Sequence, residues 1–76
     1  MTVTMCAEYL LLEGEVQKIL EKLTGLTTKQ LDAFRAGDHT WFAQLDKKLE
    51  LTVGEKERAI GALRQHAREH GCHSTV

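Results

Sequence analysis

The sequence contains no proline in 76 residues, so the residue that removes a helical N–H and clashes with the preceding turn interrupts it nowhere. Cysteine is scarce. The two present are far apart in the sequence, which excludes a disulfide framework and makes them thiols in a reducing compartment. An excess of positive charge is also missing. Ten Lys and Arg stand against eleven Asp and Glu, for a net charge of -1, so little is available to displace counterions from a phosphate backbone, and nucleic acid is not an expected partner. Nor is there a long apolar run. Tyr9-Leu10-Leu11-Leu12 is closed by Glu13, too short for a signal-peptide core or a membrane span, and the start has no basic segment. The expectation is a cytoplasmic chain with no membrane partner. Linkers, low-complexity stretches and solenoid repeats are absent too.

What is there is helical periodicity on both sides of one break, Ala36-Gly37-Asp38. Before it, Met5, Tyr9, Leu12, Val16, Ile19, Leu23, Leu26, Gln30 and Ala33 recur at alternating spacings of three and four. That is the seam of one amphipathic helix, widened on one flank by Leu20 and Phe34. After the break the seam runs through Phe42, Leu45, Leu49, Thr52, Lys56, Ala59, Leu63, His66 and His70, with Val53, Ile60 and Ala67 on its flank. Asp38 has the chemistry of an N-cap and Gly37 that of a left-handed turn residue. The spacing predicts an all-α antiparallel two-helix hairpin, with long helices over about residues 4–36 and 39–70. The expectation is a single helical domain over residues 1–76, with residues 71–76 a frayed tail after Gly71.

A second reading stays open. Thr27 with Gln30, and Thr52 with Glu55, have capping-box spacing next to Gly25 and Gly54. Helix breaks there would give a compact bundle of three or four shorter helices.

Folding back at Gly37 and Asp38 sets the register, because each step back along the first helix matches one forward along the second. Ala33 falls against Phe42, Gln30 against Leu45, Leu26 against Leu49 and Leu23 against Thr52. Further along, Ile19 meets Lys56, Val16 meets Ala59, Leu12 meets Leu63 and Tyr9 meets His66. The seams face each other in phase. The same count sets Gly14 opposite Gly61, where missing side chains suggest close backbone approach. Trp41 and Phe42 are expected to close the structure beside the turn, the alternative being an exposed aromatic anchor for a partner.

Two helices cannot cover a stripe three positions wide, and a domain this small buries a modest share of its surface alone. Self-association into an antiparallel four-helix bundle is therefore expected, with another helical protein as the other possible partner. The candidate interface residues are Leu12, Val16, Ile19, Leu20, Leu23, Leu26 and Phe34 on the first helix. On the second they are Phe42, Leu45, Leu49, Val53, Ile60 and Leu63.

Reactive side chains concentrate in one place, His66-Ala67-Arg68-Glu69-His70-Gly71-Cys72-His73. His66 and His70, four apart, share a helix face, Cys72 and His73 follow, and the register brings Cys6 close. A Cys2His2 set drawn from Cys6, His66, His70, Cys72 and His73 is thus the one candidate metal site, for Zn or a similar ion. Its spacings match no zinc motif, and helix-end histidines commonly act as caps or solvated groups. No cofactor is expected otherwise. His66-x-x-Glu69-His70 has the letters of an inverted zinc-protease motif without room for a second ligand segment or a cleft. Neither cysteine has a visible base, and Asp46, Glu50, Glu55 and Glu57 read as a charged outer face answered by Lys47, Lys48 and Lys56. No enzyme is expected.

Residues 30–38, Gln30-Leu31-Asp32-Ala33-Phe34-Arg35-Ala36-Gly37-Asp38, followed by Leu45-Asp46-Lys47-Lys48-Leu49-Glu50, resemble the hairpin turn of bacterial flagellar export chaperones and of many unrelated long hairpins. The resemblance implies the shape and an adaptor or chaperone-like role. The functional expectation is a small non-enzymatic interaction protein, and the alternative is a metal-binding or metal-sensing protein using the C-terminal cluster.

Overall fold

The computed structural model describes residues 7–70, with side chains from Ala7 to Glu69. Two helices, α1 (Ala7–Ala36) and α2 (His39–His70), lie side by side and antiparallel. The hairpin measures 58 × 17 × 16 Å.

The reversal takes two residues, and both are used twice. Gly37 has φ 71°, a backbone state in which a Cβ would crowd the following carbonyl, so glycine is the residue that holds it without strain. Its N–H donates to the Phe34 carbonyl at 3.1 Å, and the Asp38 N–H donates to the Ala33 carbonyl at 2.9 Å. This pair of bonds is the Schellman closure, which satisfies two carbonyls stranded at the end of α1. Asp38 then turns to α2. Its carbonyl accepts from the Phe42 N–H at 2.9 Å, and its Oδ1 accepts from the Trp41 N–H at 3.0 Å, an N-cap that satisfies one of the first orphan donors.

From that turn the seams run in register to the open end. Leu26, Ala33 and Leu45 form the buried apolar cluster, with Phe42 and Leu49 against it. Tyr9, Thr52 and His66 are also buried, and Leu12, Val16, Ile19, Leu23 and Leu63 are half-buried. Thr52 fits an apolar seam because its hydroxyl donates to the Lys48 carbonyl one turn back at 2.8 Å, so no unpaired polar atom is left inside. Two cylinders touch along one line, and that line can bury only a narrow stripe.

Both helices run unbroken through Gly25 and Gly54, so the arrangement of three or four shorter helices is not the fold. The capping boxes do not form. The Thr27 hydroxyl donates to the Leu23 carbonyl at 2.8 Å, inside a continuing helix. Gln30, which a capping box would turn back on its own helix, reaches across to Asp46 (Nε2 to Oδ1, 3.2 Å). Glu55 likewise crosses to Lys22 (3.6 Å). Asp46 and Glu55 thus bridge the two helices, which corrects their reading as a charged outer face.

The glycine pair also differs from expectation. A Cβ added at Gly14 or Gly61 would meet nothing within 4 Å. The register places them at one height, but Gly14 lies half a turn from both Leu12 and Val16, away from the other helix. Beside the turn, Phe42 packs inward and its ring lies 6.1 Å from that of Phe34. Trp41 does not close the structure there. It is exposed, with the Lys48 ammonium 6.0 Å from its ring centroid.

Candidate interaction surface

In heptad terms the two flanks of the seam differ in chemistry. One flank carries Glu8, Glu15, Lys22 and Lys29 of α1 alongside Lys48, Glu55 and Glu69 of α2, and it holds the Lys22–Glu55 pair. The other carries Leu20, Thr27 and Phe34 of α1 and Val53, Ile60 and Ala67 of α2, with one carboxylate from each helix, Glu13 and Asp46. Leu20 is 44% exposed, Phe34 71% and Val53 38%, while Ile60 and Ala67 are half-buried.

Further round α1 the uncharged surface continues through Leu10, Gln17, Thr24 and Leu31. Its threonines are less polar than the sequence suggests. Thr24 donates its hydroxyl proton to the Leu20 carbonyl (3.0 Å), Thr27 to Leu23 (2.8 Å) and Thr28 to Thr24 (3.0 Å). With the hydroxyls bonded to their own helix, the methyl groups complete the outer surface. Two open grooves lie along this face. One runs past Val16, Gln17, Leu20 and Thr24 to Leu63, with Glu13 and Glu21 at its edge, and the next past Leu20, Thr24, Thr27 and Leu31. The corresponding outer positions of α2 are Glu50, Glu57 and Arg64, so its surface there is charged.

The candidate interface residues therefore divide into two groups. Leu12, Val16, Ile19, Leu23, Leu26, Phe42, Leu45, Leu49 and Leu63 are wholly or partly buried between the two helices of the hairpin. Leu20, Phe34 and Val53 face outward, with Ile60 beside them. Width of the stripe was the signal in the sequence for the second group. The contribution of Thr24, Thr27 and Thr28 was missed, because the destination of a hydroxyl proton is not written in residue type.

Of the candidate metal ligands, only the His66 side chain falls within the described residues; Cys6, Cys72, His73 and the side chain of His70 lie outside them, as do Met5 and residues 71–76. His66 is buried at the open end of the seam, its ring 6.4 Å from that of Tyr9 and its Nδ1 3.8 Å from Glu8 Oε1. Among the described residues no group of three or more His, Cys, Asp or Glu side chains is placed to hold a metal ion. No helix there is long and apolar enough to cross a membrane.

Comparison with family models, curated proteins and solved structures finds no match for this chain.

Proposed function

We propose that the protein is a small non-enzymatic interaction module, a helical hairpin that associates with a second copy or with helices of another protein as an adaptor or chaperone-like element. The observation that carries this reading is the exposure of Leu20, Phe34 and Val53 on one side of the seam. Isolated surface leucines are ordinary, but several large apolar side chains exposed on one flank, opposite a mostly charged one, are the pattern of a surface used for association. The size argument points the same way. A hairpin whose buried apolar side chains, among the described residues, are Tyr9, Leu26, Ala33 and Leu45 gains from any partner that covers its open flank.

The test is mass in solution. At micromolar concentration the protein sediments as a dimer or larger, and Leu20→Glu or Ile60→Glu shifts it to monomer by placing an unpaired charge in the interface. A wild-type chain that stays a compact monomer and recovers no helical partner when immobilised as bait overturns the reading.

A further inference from the structure

We draw no further inference here: the strongest candidate, the open flank of Leu20, Phe34 and Val53 with the two grooves along it, is an unpartnered apolar face, and nothing in the structure shows what covers it.

Discussion

Tyr9 and His66 lie ring against ring at the open end of the hairpin, centroids 6.4 Å apart and planes tilted by 36°. They are the far end of the register that begins at Ala33 and Phe42, so their contact reports whether the two seams stay in phase along the helices. Nothing covalent ties this end among the described residues, and the two buried rings carry that duty.

Tyr9→Ala removes one ring and is expected to destabilise the fold by about 2 kcal/mol, below the range for a central core aromatic because the site lies near the helix ends. Hydrogen exchange should accelerate in residues around Leu12 and Leu63 and stay unchanged around Leu26 and Leu45, since helix ends open locally. Uniform acceleration would mean that the contact supports the whole fold rather than its open end.

At the turn, Gly37→Ala is expected to lose about 1 kcal/mol and Gly37→Val more, because the left-handed backbone rather than lack of space is the obstacle; a Cβ there meets nothing within 4 Å. Asp38→Ala loses the bond to the Trp41 N–H and with it about 1 kcal/mol. Urea midpoints at fixed protein concentration read both.

Two leucines on one helix provide an internal control for the core. Leu45 is 1% exposed and Leu51 71%. Leu45→Ala should therefore cost about 3 kcal/mol by lost burial and a cavity, whereas Leu51→Ala stays within about 0.5 kcal/mol. Equal effects in denaturant titrations would show that Leu51 is covered in solution.

Helix continuity at Gly25 has a test of opposite sign. A Cβ there enters open space, so Gly25→Ala is expected to stabilise by about 0.5 to 1 kcal/mol through the better helix propensity of alanine. At Gly54 the added Cβ meets Arg58 Nη1 at 3.4 Å, the far end of a flexible side chain, so Gly54→Ala gains as well. A loss at either site would indicate a kink that needs glycine.

Periodicity by itself determined the hairpin. Seam residues from Tyr9 to Ala33 and from Phe42 to His66 are the ones that lose water, because apolar groups every three and four residues leave a helix one face to bury and a single turn leaves it one neighbour. Gly37 and Asp38 were legible for the same local reason, as their conformations are set by the missing Cβ of one and the short carboxylate of the other. Tertiary structure decided the rest. Thr27 with Gln30 and Thr52 with Glu55 carry the letters of helix starts, and local chemistry alone has no means to reject them. The fold rejects them because unbroken helices keep both seams in one phase, and because Gln30 and Glu55 find partners on the opposite helix. The glycine penalty, about 1 kcal/mol at each site, is smaller than the loss of a seam that would otherwise drift out of register. Gly14 and Gly61 show the converse: a count along the chain gives height, and only the fold gives the direction in which a residue faces. The open flank follows from that difference. Sequence already set Leu20, Phe34, Val53 and Ile60 beside the seam, whereas the fold decided how far each stays in water: Leu20, Phe34 and Val53 are exposed and Ile60 is half-buried.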